Sequence, residues 1–133
     1  MPKVLSSGNI ALVNGAMWWA MESAGPVARA DQKILLSAGY PITPVNEVVE
    51  YLCRSSKVMD APFIQAESEI AAGNMLLGAS GVDTPAFTVT SSPGMSLMQE
   101  AISYAAGMEL GGKGLVYVNV VRGGPGLGNI QGA

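Results

Sequence analysis

Residues able to do chemistry follow four apolar segments of this chain. Thr43 follows the first segment and Glu67–Glu69 follow the second. Thr90–Ser92 follow the third, and Arg122 follows the fourth. If these segments are parallel strands, the four groups lie at the carboxyl edge of one sheet, where open α/β sheets bind ligands. Singly, each could be a helix cap, a charge favoured at a helix N-terminus or a loop charge. Hydroxyls, a carboxylate and a guanidinium together favour one shared site.

The elements that would position these groups alternate along the sequence. Apolar runs predict strands at 34–38, 62–65, 86–90 and 115–121, the last buried on both faces. Helices are predicted at 9–23, 44–55, 67–80 and 92–108. Such alternation is typical of an α/β fold in which helices cover a parallel sheet.

The turn Gly39–Pro44 contains two prolines, each of which restricts the preceding residue to extended backbone. Thr43 is therefore expected to cap the following helix, with Pro44 at the first helical position. By the same reasoning, Ser92 is expected to cap a later helix that has Pro93 at its first position.

Composition favours a single globular domain over residues 1–133. Apolar residues make up 49% of the chain and charged residues only 13%, so we expect a large interface with a partner. The net charge of −3 without a basic cluster gives no support for nucleic-acid binding. The apolar stretch 10–21 is interrupted and too short for a membrane span. A signal peptide is disfavoured because Lys3 is the only basic residue before it and Asn9 and Asn14 break the apolar run.

Cysteine and histidine content excludes several kinds of site. A single cysteine rules out an internal disulfide and fits a reducing, cytoplasmic compartment. It also supplies no iron–sulfur or zinc ligand set, so no metal site is predicted. Without any histidine, this chain cannot by itself form a Ser-His-Asp or Cys-His hydrolase.

The glycine-rich tail 122–133 resembles a dinucleotide-binding loop only superficially. Its glycines are spaced Gly126-x-Gly128-x-x-x-Gly132 rather than G-x-G-x-x-G, and we expect no helix after it to receive a pyrophosphate. The sequence therefore disfavours a dinucleotide site.

Several motifs together resemble one enzyme family. They are Gly8-Asn9 with Gly15-Ala16, the run 39–44 (GYPITP) with Glu47, the run 65–72 (QAESEIAA), the run 88–100 (TVTSSPGMSLMQE) and the run 122–125 (RGGP). In this order they are similar to the α subunit of 2-oxoacid:ferredoxin oxidoreductases, over almost the whole chain. The segment around 21–26 looks longer than is usual in that family.

The resemblance implies a pyrimidine-binding domain for thiamine diphosphate. It implies that Glu69 hydrogen-bonds the aminopyrimidine ring and so promotes deprotonation of the thiazolium carbon. It also implies that Thr43 and Arg122 contact a 2-oxoacid, since a guanidinium can pair with a carboxylate in bidentate fashion. The remaining residues implied to contact the cofactor are Pro41, Ile42, Thr90 and Ser91.

The resemblance also implies partners. The chain has no Gly-Asp-Gly motif with a downstream asparagine, so a β subunit is expected to hold the diphosphate and Mg²⁺. Iron–sulfur clusters are expected on partner chains, with coenzyme A as co-substrate and ferredoxin as electron acceptor. Family α subunits are longer, so we expect a truncated or separately encoded first part that is inactive alone. The alternative is a non-catalytic α/β interaction module that assembles with a partner.

Overall fold

The computed structural model describes residues 7–24, 35–59, 61–110 and 114–121. Its centre is a parallel sheet, as the alternating pattern predicts, and the strands are in the order β2-β1-β3-β4. The strands are β1 (Leu36–Gly39), β2 (Phe63–Gln65), β3 (Ala86–Ser91) and β4 (Leu115–Val120). The α/β fold class is confirmed.

The register brings the carboxyl ends of the strands to one edge of the sheet. Gly39 in β1 lies opposite Gln65 in β2, and Thr90 in β3 lies opposite Asn119 in β4. Because every pairing is parallel, the segments that leave these strands emerge on the same side.

Helices cover the sheet on both faces. They are α1 (Gly8–Ala24), α2 (Asn46–Ser55), α3 (Glu69–Gly81), α4 (Ser92–Leu97) and α5 (Gln99–Gly107). Helices α1 and α2 bury Val13, Met17, Val48 and Leu52 against Phe87 and Val89 of β3. On the opposite face, Leu76 of α3 and the fully buried Met98 form a second core with Ala38 and Ala86.

Both predicted proline-assisted caps are wrong in detail. Helix α2 begins at Asn46 with Val45 at the N-cap position, so Thr43 lies in the preceding turn, where the Thr43–Pro44 peptide is cis. Helix α4 already includes Ser92 as its first residue, and Ser91 holds the N-cap position without a capping side-chain hydrogen bond. In both cases the N-cap residue differs from the one that the position of the proline predicts.

Strand β4 is more exposed than its apolar sequence predicts. All six of its residues are partly exposed, whereas all six residues of β3 are buried. The physical reason is position, because β3 lies between two strands and β4 pairs only with β3 in the described part of the sheet. The predicted helix 92–108 is also interrupted, at Met98 between α4 and α5.

Candidate functional site

Glu69 begins helix α3 at the carboxyl edge of the sheet. The preceding Ser68 caps the helix, its hydroxyl accepting a hydrogen bond from the Ala71 N–H at 3.2 Å. The loop before the helix is tied to the end of β1, because the Ala66 N–H donates to the Gly39 carbonyl at 2.7 Å. These contacts leave the half-buried Glu69 beside the end of β1.

A pair of hydroxyl groups lies next to Glu69. Tyr40, which follows β1, forms a side-chain hydrogen bond with Thr90 near the end of β3. Tyr40 is 4% exposed and Thr90 is fully buried, so this bond is shielded from water. The Thr90 hydroxyl also lies 3.4 Å from the Ser91 carbonyl, to which it can donate. Both hydroxyls therefore have partners, as buried polar groups require.

Gly94 in α4 brings the hydroxyl pair and the carboxylate around one point. A Cβ atom added to Gly94 would lie closer than 3.0 Å to both Tyr40 Oη and Thr90 Oγ1, and 3.1 Å from Glu69 Cγ. Real Cβ atoms essentially never make contacts under 3.0 Å. Glycine is therefore what lets the first turn of α4 close over the pair.

The electrostatic environment of Tyr40 reflects this packing. Burial raises the pKa of the Tyr40 hydroxyl above its usual value, the hydrogen bond with Thr90 lowers it, and the Glu69 carboxylate raises it. The last effect requires that the carboxylate be close enough to oppose a second negative charge on the phenol. Tyr40 and Glu69 thus belong to one electrostatic unit.

The other predicted site residues in the turn after β1 differ from one another in burial. Pro41 and Thr43 are exposed at the carboxyl edge rather than packed into the Tyr40–Thr90 cluster. Ile42 is partly buried and packs against both hydrophobic cores. Arg122 and the glycine-rich tail lie outside the described residues.

Ser91 follows Thr90 but lies on the other face of β3, because successive strand residues point to opposite faces. Its hydroxyl is buried and has no hydrogen-bond partner among the described residues. The buried Asn119 Oδ1 in β4, which lies beside Thr90 in the register, also has none. Buried polar atoms without partners are unusual in native proteins, so this edge retains unused hydrogen-bonding capacity.

Sequence reasoning missed Tyr40 and Gly94 as site residues. Both stand inside motifs that carry the family resemblance, the runs 39–44 and 88–100. Side-chain alternation along β3 predicts which face of the sheet Thr90 lies on. Only the tertiary structure shows that Tyr40, 50 residues earlier in the chain, hydrogen-bonds it.

Comparison with known families decides what kind of domain this is. A family model described as pyruvate flavodoxin/ferredoxin oxidoreductase, thiamine diphosphate-binding, matches residues 28–133. The chain belongs to this family. The family resemblance predicted from the sequence motifs of this oxidoreductase family member is therefore confirmed. The relation of the chain to thiamine diphosphate-binding domains is confirmed as well.

Individual oxidoreductase relatives agree with the family assignment. The ketoisovalerate oxidoreductase subunit VorB of Methanothermobacter marburgensis is 41% identical over 130 residues, which is 98% of this chain and 32% of that subunit. The 2-oxoglutarate synthase subunit KorA of Archaeoglobus fulgidus is 44% identical over 91 residues, covering 68% of this chain and 25% of that subunit. The chain thus spans about a third or less of the length of these relatives.

A solved oxidoreductase structure shares the fold. It is the 2-oxoglutarate:ferredoxin oxidoreductase from Magnetococcus marinus with 2-oxoglutarate, coenzyme A and succinyl-CoA bound. The match has a TM-score of 0.64 and 35% sequence identity, and it covers 86% of this chain and 18% of that chain.

The described residues form neither a metal-binding cluster nor a membrane-spanning helix. Within them, no cluster of three or more histidine, cysteine, aspartate or glutamate residues has a geometry that could hold a metal ion. In the same part of the chain, no helix has the length and apolar character needed to cross a bilayer.

Proposed function

We propose that residues 1–133 form a pyrimidine-binding domain of a 2-oxoacid:ferredoxin oxidoreductase, in which Glu69 contacts the pyrimidine end of thiamine diphosphate. The observation that carries this proposal is the grouping of Glu69, Tyr40 and Thr90 around Gly94 at the carboxyl edge of the parallel sheet. Ligands of open α/β sheets bind at this edge.

The residues at this edge fit an aminopyrimidine. Such a ring needs hydrogen-bonding partners for its nitrogen atoms and apolar surface for its faces. The half-buried Glu69 carboxyl group can hold or release a proton at a ring nitrogen, and Ile42 offers apolar surface nearby in sequence to Tyr40. On the other face of β3, the Ser91 hydroxyl, which has no partner in the described part of the chain, adds a donor or acceptor at the same end of the strand. Thr90 and Ser91, with Pro41 and Ile42, are the residues that we propose to line the cofactor site.

When bound, thiamine diphosphate supplies the carbanion chemistry of 2-oxoacid decarboxylation. This chain's part is to orient the ring and to control a proton at the Glu69 carboxyl oxygens. A half-buried position beside buried hydroxyls suits that task, because a shielded site strengthens each hydrogen bond made there.

We propose that the remaining parts of the reaction lie on partner chains. A β subunit would hold the diphosphate and Mg²⁺, and iron–sulfur clusters on further subunits would carry electrons to ferredoxin. Thr43, exposed at the carboxyl edge, and Arg122 would bind the carboxylate of the 2-oxoacid. Coenzyme A would accept the acyl group as co-substrate.

The direct test is to co-express this chain with the subunits encoded beside its gene and to assay thiamine-dependent oxidation of 2-oxoacids. We expect activity with the parent chain, and a large loss with Glu69→Gln but not with Glu67→Gln. Stable assembly without activity toward any 2-oxoacid would instead support the non-catalytic interaction module.

A further inference from the structure

The Tyr40 hydroxyl lies close to two groups that the proposed function uses. It hydrogen-bonds Thr90, and both it and Glu69 Cγ surround the point that a Gly94 Cβ would occupy. Apart from its ring, which packs in the core with Ala38 and Ala66, the residue presents only this hydroxyl to the site.

We propose that Tyr40 is a positioning residue, whose hydroxyl, held by Thr90 and covered by Gly94, orients the Glu69 carboxylate toward the bound pyrimidine. This inference rests on the proposed function and adds a residue to it. Tyr40 acts through Glu69 and need not touch the cofactor.

The geometry supports this role in three ways. First, Tyr40 Oη, Thr90 Oγ1 and Glu69 Cγ all surround the point that a Gly94 Cβ would occupy. Second, the hydroxyl pair is buried, so bulk water does not compete for its hydrogen bonds. Third, Tyr40 directly follows β1 and Thr90 lies in the adjacent strand β3, so the pair is fixed to the central sheet.

The hydrogen-bonding inventory allows the contact to Glu69. Each hydroxyl has one proton to donate and lone pairs to accept with. If Thr90 donates to Tyr40, the Tyr40 O–H is free to turn toward the Glu69 carboxylate. If Tyr40 donates to Thr90, the Thr90 proton goes to the Ser91 carbonyl 3.4 Å away. The first arrangement is the one in which Tyr40 orients Glu69.

Tyr117 provides a matched control. It is a partly buried tyrosine, whereas Tyr40 is buried, and its hydroxyl donates to the Gly73 carbonyl of α3 at 3.4 Å. Gly73 lies about one turn further along α3 than Glu69, so Tyr117→Phe removes a comparable hydroxyl outside the cluster.

The first measurement needs no cofactor. In the full chain carrying ¹³C at the tyrosine Cζ, the pKa of Tyr40 is followed by NMR titration. We expect Glu69→Gln to lower the pKa of Tyr40 and to leave that of Tyr117 in place, with Glu67→Gln changing neither. A Tyr40 pKa that does not respond to Glu69→Gln would overturn the electrostatic coupling between the two residues and with it the positioning role.

The second measurement uses the complex reconstituted with its partner subunit, thiamine diphosphate and Mg²⁺, and follows exchange of the cofactor's C2 proton. Because a misplacement of about 1 Å can cost about 100-fold in rate, we expect Tyr40→Phe to slow exchange about 10- to 100-fold. Tyr117→Phe should exchange at the parental rate. In the Glu69→Gln background, Tyr40→Phe should cause no further slowing, since a residue that acts through Glu69 loses its effect without it.

The outcomes separate this inference from the proposed function. Two results would overturn the positioning role and leave the cofactor site intact. One is exchange at the parental rate in Tyr40→Phe. The other is that Tyr40→Phe slows exchange by the same factor in the parental and the Glu69→Gln backgrounds. Absence of exchange in the parental complex would overturn the proposed function and with it the positioning role, while the titration still decides whether Tyr40 and Glu69 are coupled.

Discussion

The side-chain hydroxyls of Tyr40 and Thr90 hydrogen-bond to each other across 50 residues of sequence. Tyr40 directly follows β1, and Thr90 lies near the end of β3. Their bond ties together the two strand ends from which the turn after β1 and helix α4 emerge. The carboxyl edge of the sheet is therefore organised by a buried polar contact as well as by apolar packing.

Gly94→Ala should destabilise the chain by about 1–3 kcal/mol, the usual cost of overpacking a filled core. The added methyl group would overlap Tyr40 Oη and Thr90 Oγ1, which are buried and cannot move freely. Urea unfolding followed by circular dichroism measures the difference.

Gly78→Ala is the matched control for this prediction. Gly78 also lies in a helix, but a Cβ there meets nothing within 4 Å. Replacing an open helical glycine by alanine should stabilise the chain by up to about 1 kcal/mol. Equal effects of the two substitutions would show that Gly94 is not closely packed.

Stability should fall as the solution becomes alkaline. Burial raises the pKa of both Tyr40 and Tyr117, so the folded state holds these protons more tightly than the unfolded state. This contribution is complete below the unfolded value of about 10 and is lost as pH rises through the higher folded values. The free energy of unfolding, measured in urea between about pH 9 and 11, should therefore decline.

Tyr40→Phe removes one of the two groups and should make this alkaline decline shallower. Thr90→Val should raise the pKa of Tyr40 further, because the hydrogen bond to Thr90 lowers it. A decline that is the same in Tyr40→Phe and the parent would mean that Tyr40 titrates normally in the folded chain.

Glu69→Gln should fold normally yet slow C2 proton exchange of thiamine diphosphate in the reconstituted complex. Loss of a positioned acid–base group typically costs about 10²–10⁴-fold in rate. Glu67 is exposed and precedes the helix, so Glu67→Gln should have a far milder effect. If Glu69→Gln exchanged as fast as the parent, Glu69 would retain only its role at the start of α3.

The isolated chain should bind thiamine diphosphate more weakly than micromolar, even with Mg²⁺. Its sequence lacks a Gly-Asp-Gly motif with a downstream asparagine, and we expect the diphosphate to be held by another subunit. Isothermal titration calorimetry of the chain with cofactor and Mg²⁺ measures this. Micromolar binding by the chain alone would contradict a site shared between two subunits.

The amino-acid sequence by itself determined the fold class, the order of its elements and the motifs that indicate the family. Strand and helix periods are local properties, so alternation of apolar segments with amphipathic ones was sufficient to predict a parallel sheet. Strand ends and helix starts can likewise be read from neighbouring residues, which located the segments 67–69 and 90–92. The choice of Glu69 and Thr90 within them came from the family resemblance.

Tertiary structure decided which of these residues meet. Tyr40 and Gly94 joined the site only through the pairing of β1 with β3 and the closure of α4, which no local pattern encodes. The same holds for the partial exposure of β4, whose apolar sequence resembles that of a central strand although it lies at the edge of the described sheet. Local preference also failed at Thr43 and Ser92, because long-range packing, not proline chemistry alone, determines where each helix begins.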